Sequence, residues 1–289
     1  MRFGWLLFAP LLLFVMVFAV VPAVGMLIGS VVTSQGVTLH FYQATSTGEY
    51  LNSFRTTAAL SLYSALVSVV WGIVVTWSLV RTRIGWIQNT LTALSSTMAN
   101  FAGLPLAVAF MTTLGASGLL TNLLQHALHL NLTQLGWNLA SFGGLLVVYT
   151  SFLVPLAIVL LLPSIGSMKA DWEEASATLG APTWFYFWRV VRPMLLPSFL
   201  GTFALLFANA FSTYVTAFEL AGGSVNLIPL QIGYMMNGNV SMNVALGDAL
   251  AMEEMVVLGL AVALYLVMQR TRAARAMSGT ERRSVSNAA

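Results

Sequence analysis

The sequence contains no cysteine, so a disulfide, a thiolate metal site and a catalytic thiol are all excluded. It has one lysine, Lys169, which no GxxxxGK pattern precedes, so the chain has no Walker A loop with which to bind and hydrolyse ATP. There is no GxSxG and no HExxH, and the three histidines lie outside the long apolar runs, which argues against an enzyme working inside a membrane. Charge is scarce: 7% of residues are charged, against about a quarter in soluble domains. No basic tract is interleaved with aromatics, so nucleic acid is not an expected partner.

What the chain does have is apolar sequence, 58% of its residues. The first run, Gly4–Val32, exceeds the ~7–15 residues of a signal-peptide core and reads as a retained span, with Pro10 and Pro22 able to kink it. Further runs cover Ala58–Val80, Ile87–Leu114, Leu139–Pro163 and Met194–Phe218, and a sixth ends at Met268. Each suits a hydrocarbon core of ~30 Å. Asn100, Gly103 and Pro105 predict a break or a close helix contact inside the third. Gln35–Thr57 reads as an exposed loop or short interfacial helix. Gly115–Asn138, without charge, reads as a neutral loop holding a short amphipathic helix. The fold class expected is all-α, a polytopic membrane helix bundle of about six transmembrane helices.

The largest cluster of charge is Met168–Pro193, with Lys169, Asp171, Glu173, Glu174, Arg189 and Arg192. A charge at mid-bilayer costs roughly 2.5–3.5 kcal/mol, so this stretch must lie in water. Asp171 can cap a helix whose first turn carries Glu173 and Glu174 against the helix dipole. Gly180 can end that helix at positive φ, and Pro182 can open a second one.

Within it, Glu174-Ala175-Ser176, then three residues, Gly180, nine residues and Val190-Val191-Arg192-Pro193 resemble the cytoplasmic EAA signature of the membrane subunits of binding-protein-dependent ABC importers. The acid, the glycine and the final proline fall at the family's spacing. Ser176 and Val190 are mild departures, and Arg192 at a position usually held by leucine is a larger one. The resemblance implies a type I importer permease whose coupling helix docks into a cleft on a separate ATPase. Glu174, Ala175, Gly180 and Pro193 would hold the motif positions, and Trp172, Leu179 and Trp184 would supply apolar contact. It implies two ATP-binding subunits, a second and different permease chain, and an extracytoplasmic solute-binding protein as partners, and no cofactor of the chain's own. Asn100–Leu106 and Gly222–Gln231 are most similar to permeases for polyamines and small solutes such as aminoethylphosphonate.

The positive-inside rule places both termini of the chain in the cytoplasm of a bacterial cell, with Arg2, Arg81, Arg83, Lys169, Arg189, Arg192 and the tail arginines inside and only Arg55 outside. The domains expected are 1–57, a first helix and outer loop; 58–270, a permease core; and 271–289, a basic tail disordered at its end. Glu219, Asp248, Glu253 and Glu254 lie near membrane depth, where carboxylates are costly and therefore candidates for function. Glu219 and Glu253 are the two favoured to meet a cationic solute, and Asn209 and Tyr214 are polar groups that could touch it. The competing reading is an ion-coupled secondary transporter using the same acids. His126 and His129 would share a helix face, but no acid or cysteine joins them. Asn131-Leu132-Thr133 and Asn239-Val240-Ser241 match glycosylation acceptors by chance.

Overall fold

The computed structural model describes residues 4–33, 36–46, 48–82, 84–129, 134–168, 170–237 and 243–286. Arg2, Arg83, Lys169 and the two Asn-x-Ser/Thr triplets lie outside them. Six helical stretches are long and apolar enough to cross a membrane: Phe8–Val31, Gly48–Arg81, Leu104–Leu128, Phe142–Gly166, Thr183–Phe211 and Val244–Arg270. The all-α expectation holds, since the strands among the described residues are only the two-residue partners Val32–Thr33 and Gly36–Val37.

The chain divides into two compact units. The first comprises residues 1–57 and 226–257. In it α1 (Gly4–Val15) runs through a π turn at Met16–Val20 into α2 (Val21–Val31). Pro22 explains that turn: it has no N–H, and its ring crowds the carbonyl four residues back, inside Met16–Val20. Val21 accordingly donates to the Met16 carbonyl, five residues away. After α3 (His40–Thr45) comes α4 (Gly48–Arg81), which starts well before the expected Ala58. Glu49 sits in its first turn, favourable to the dipole. The Ser53 and Thr57 hydroxyls fold back on the Glu49 and Ser53 carbonyls at 3.1 and 2.7 Å, so these polar residues extend the helix rather than ending it. Thr57 Oγ1 also accepts the Ile228 N–H at 2.9 Å, tying α4 to the start of α13 (Ile228–Asn237).

The second unit comprises residues 58–225 and 258–289. Its core is α8 (Phe142–Gly166), where Leu145, Val148, Leu153 and Phe152 are buried, packed against α5 (Gly85–Ala99) and α11 (Arg192–Phe211). A methyl at Gly72 of α4 would sit 2.5 Å from the Ala157 Cβ, so glycine is what lets α4 and α8 cross so closely. The third apolar run is not one span. It breaks after α5 and resumes as α6 (Leu104–Leu114) and α7 (Leu119–Leu128). The break falls where Asn100, Gly103 and Pro105 predicted it: Asn100 Nδ2 caps the Ser96 carbonyl at 2.9 Å, and Gly103 takes φ +80°. At 15 residues α5 is only ~22 Å long, too short to span, and the spanning candidate moves to α6 and α7. The last helix, α14 (Val244–Ser286), runs on into the basic tail, whose end, expected to be disordered, lies outside the described residues.

Candidate functional site

The Met168–Pro193 stretch folds as two helices around a glycine turn. Its first helix, α9 (Ala170–Thr178), has Asp171 and Glu173 in the first turn. Asp171 is therefore not the cap expected of it. The helix already includes Ala170, and the carboxylate acts on the dipole from within. At the other end Ala181 donates to the Ser176 carbonyl at 3.1 Å and Gly180 to the Ala177 carbonyl at 3.0 Å. With Gly180 at φ +73°, that is a Schellman turn, which satisfies the carbonyls a helix end leaves open. Pro182, extended at φ −66° and ψ 151°, then caps α10 (Thr183–Tyr186). The chain passes through a second π turn at Phe187–Val191 into α11, where Arg192 donates to the Phe187 carbonyl. Pro193 stands in the first turn of α11, and as with Pro22 the carbonyl four residues before it, that of Arg189, lies inside the π turn.

One ion pair fixes this loop to the unit. Arg81 Nη2, in the last turn of α4, meets Glu173 Oε2 at 2.6 Å, and the same guanidinium lies 5.0 Å from the centre of the Trp77 ring. Glu174 is exposed, and the tie runs through its neighbour. The available signal was Arg81 at the end of a run expected on the same membrane side. Between α9 and the α10–α11 helix lies an apolar groove of about 650 Å³, lined by Trp172, Ala175 and Leu179 on one wall and Phe185, Val190 and Met194 on the other. Leu179 is 85% exposed at its rim. Arg192, the departure from the motif, stacks on the Trp188 ring at 4.3 Å and does not line the groove.

The expected solute residues are spread over both units. Asn209 is exposed on α11, and Tyr214 stacks on Phe218 with ring centres 5.5 Å apart. The fifth run, expected unbroken to Phe218, stops at Phe211. There the Ser212 and Thr213 hydroxyls take the Ala208 and Asn209 carbonyls at 3.1 and 2.7 Å, and the chain restarts as α12 (Val215–Ala221). Glu219 lies exposed on α12. This break is bound to the one at Gly103, whose N–H donates to Thr216 Oγ1 at 3.0 Å. Tyr149 OH donates to the Thr213 carbonyl at 3.2 Å. Two interruptions far apart in sequence thus satisfy each other, as non-helical backbone at membrane depth requires. In the first unit Glu253 accepts the Thr45 hydroxyl at 2.6 Å, and Asp248 is buried beside Gly29. His129 ends α7 in the left-handed region at φ 51°, so it does not continue the helix that carries His126. Among the described residues no three His, Asp or Glu side chains converge as a metal would need.

No protein-family model matches the chain. It is 30% identical over 168 residues, 57% of its own length and 59% of the relative's, to a probable sulfate transport system permease protein of Chlorella vulgaris. It is 27% identical over 192 residues, 66% of this chain and 61% of the relative, to a spermidine/putrescine transport system permease protein PotC homolog of Mycoplasma pneumoniae. Similarity to the thiamine transport system permease protein ThiP of Salmonella typhimurium is 29% over 165 residues, 55% of this chain and 29% of ThiP. The chain thus spans about three-fifths of the length of the sulfate and PotC-type relatives it matches. Its fold is shared with a chain of a bacterial alginate ABC transporter solved in complex with an alginate pentasaccharide-bound periplasmic protein. The TM-score is 0.69 at 16% identity, covering 92% of this chain and 93% of that one.

Proposed function

We propose, on the premise that this chain is a homologue of ABC-transporter inner-membrane permeases, that it is a membrane-spanning subunit of an ATP-driven importer. It would line the solute path together with a second permease chain of different sequence. Two ATPase subunits would bind inside and a solute-binding protein outside, at a bacterial cytoplasmic membrane with both termini in the cytoplasm. The observation that carries this reading is the groove at Trp172, Ala175 and Leu179, open on a loop whose spacing resembles the EAA signature. Exposed Leu179 at the groove's rim and exposed Glu174 on the same helical segment offer a partner both apolar and charged contact.

The mechanism follows from the loop's connections. ATP-driven approach of two ATPase subunits displaces α9. Gly180 keeps the turn in shape, Pro193 starts the long helix, and α8 and α11 carry the motion into the membrane as rigid elements. The Arg81–Glu173 pair extends the same displacement to α4. The solute is a small cation such as a polyamine. The carboxylates of Glu219 and Glu253 and the PotC-type relative support that choice, and Asn209 and Tyr214 are the polar contacts offered.

The test is a detergent pull-down of the tagged protein with its native neighbours, read by mass spectrometry, for wild type and for Glu174→Arg and Gly180→Trp. Recovery of an ATPase by wild type and its loss in both inserted variants is the expected result. Equal recovery in the variants overturns the docking role, and no ATPase with wild type turns attention to ion-coupled transport. In the reconstituted complex, spermidine and not sulfate should raise ATP turnover in the presence of the binding protein. The reverse outcome would sink the polyamine assignment alone.

A further inference from the structure

The helix that enters the membrane after Gly180 is longer than the membrane needs. Thr183–Phe211 is a continuous helical stretch of 29 residues, of which α11 contributes 20. Twenty residues at 1.5 Å each give about 30 Å, the thickness of the hydrocarbon core. If α11 fills that core, Thr183–Val191 stands in the headgroup layer. Its exposed side chains suit that depth. Trp184 and Trp188 are 68% and 40% exposed, with ring centres 5.1 Å apart, and Phe187 packs beside both. None of these three lines the groove, which takes Phe185, Tyr186, Val190 and Met194 from this helix.

Two arginines finish this aromatic surface. Arg192 lies over the Trp188 ring at 4.3 Å, the ring that meets Trp184 edge-to-face, and Arg189 lies 5.8 Å from the centre of the Phe185 ring. Neither has a carboxylate partner among the described residues, whereas Arg81 does. A guanidinium drawn to a ring face can still turn its forked N–H donors outward, and that fork matches two phosphate oxygens. The two arginines lie three residues apart, Arg189 within the π turn and Arg192 directly after it.

We propose that Trp184, Trp188, Arg189 and Arg192 form a binding surface for the phosphate headgroups of anionic phospholipid, here phosphatidylglycerol. The loop's second helix is thereby moored to the bilayer while its first helix stays free for a protein. This rests on Thr183–Phe211 being a membrane span and not on the ATPase reading, so the two can fail separately.

The experiment is native mass spectrometry of the full chain released from detergent with phosphatidylglycerol or phosphatidylcholine added. Wild type should retain phosphatidylglycerol preferentially, and Arg189→Gln/Arg192→Gln should lose affinity for it by about 30-fold, at ~1 kcal/mol per arginine near an anionic surface. Arg270→Gln, which removes one positive charge elsewhere, should lose far less. Undiminished phosphatidylglycerol retention in the double variant overturns the proposal. So does unchanged lipid binding with loss of a co-purifying protein, which would make the surface a protein dock. Should the double variant misfold, Trp184→Phe/Trp188→Phe in vesicles of headgroup-proximal brominated phosphatidylglycerol gives the answer. The quenched share of tryptophan emission must fall relative to wild type, and an equal share refutes the site.

Discussion

The two helices on either side of Gly180 are neighbours in sequence and opposites in chemistry. Ala170–Thr178 is small and acidic, and it touches its own unit through an exposed ion pair. Thr183–Arg192 is aromatic and basic, with Tyr186 and Val191 buried and its two arginines over its own rings. A helix tied to α4 by an exposed ion pair can be released from it cheaply, because such pairs contribute only about 0.2–1 kcal/mol. One anchored by buried side chains and continuous with a membrane span cannot. On the proposed mechanism, the first helix is the part that moves and the second the part it turns on.

The hinge itself should be the most sensitive point. At Gly180 no atom lies within 4 Å of where a side chain would go, so a substitution there meets only backbone strain. Gly180→Val forces a branched residue to φ +73° and should destabilise the turn by about 1–2 kcal/mol. ATPase recovery should collapse while expression and the melting temperature of the membrane core hold. Unaltered recovery would mean the turn can be redrawn. Next comes Leu179→Ser. At 85% exposure it should leave stability within ~0.5 kcal/mol of wild type, yet lower ATPase affinity about 10-fold if the leucine is an interface anchor. A melting shift with no loss of affinity would invert the contrast and make α9 the structural half.

Smaller effects sharpen the comparison. Arg81→Glu should reduce substrate-stimulated ATP turnover a few-fold, and the exchange Arg81→Glu/Glu173→Arg should restore most of it. If the exchange restores nothing, the pair is incidental. Trp188→Ala, which removes the ring under Arg192, should cost about 0.5–1 kcal/mol in thermal unfolding with ATPase recovery unchanged. A loss of ATPase there would place the partner on the aromatic half as well.

Much of this was legible in the sequence because charge and hydropathy carry strong signals in a membrane protein. Lys169, Asp171, Glu173 and Glu174 could not sit in hydrocarbon, and Gly180 before Pro182 could hardly be anything but a turn. The break at Asn100–Gly103 was legible for the same kind of reason. Hydropathy reads the thickness of the bilayer, however, and not the length of a helix. It therefore missed the start of α4 at Gly48 and cut the helix entering the membrane at Met194, although Thr183 begins it. It was also blind to long-range partners. Nothing local to Gly103 announces that its N–H will find Thr216, nor does anything near Glu173 name Arg81. The solute candidates were chosen one by one for polarity, which ranks residues without saying what faces them.

The two π turns have a consequence of a different order. Each ends two residues before a proline, Val20 before Pro22 and Val191 before Pro193, and each holds one residue more than the regular coil it interrupts. Removing that extra residue would turn everything upstream by about 100° about the helix axis. The compass bearing of the acidic helix, and with it the quarter from which a partner can approach, is therefore set by a count as well as by the contact to Arg81. A lineage that gained one residue between Thr183 and Pro193 would keep every side chain named above and point those upstream of it elsewhere.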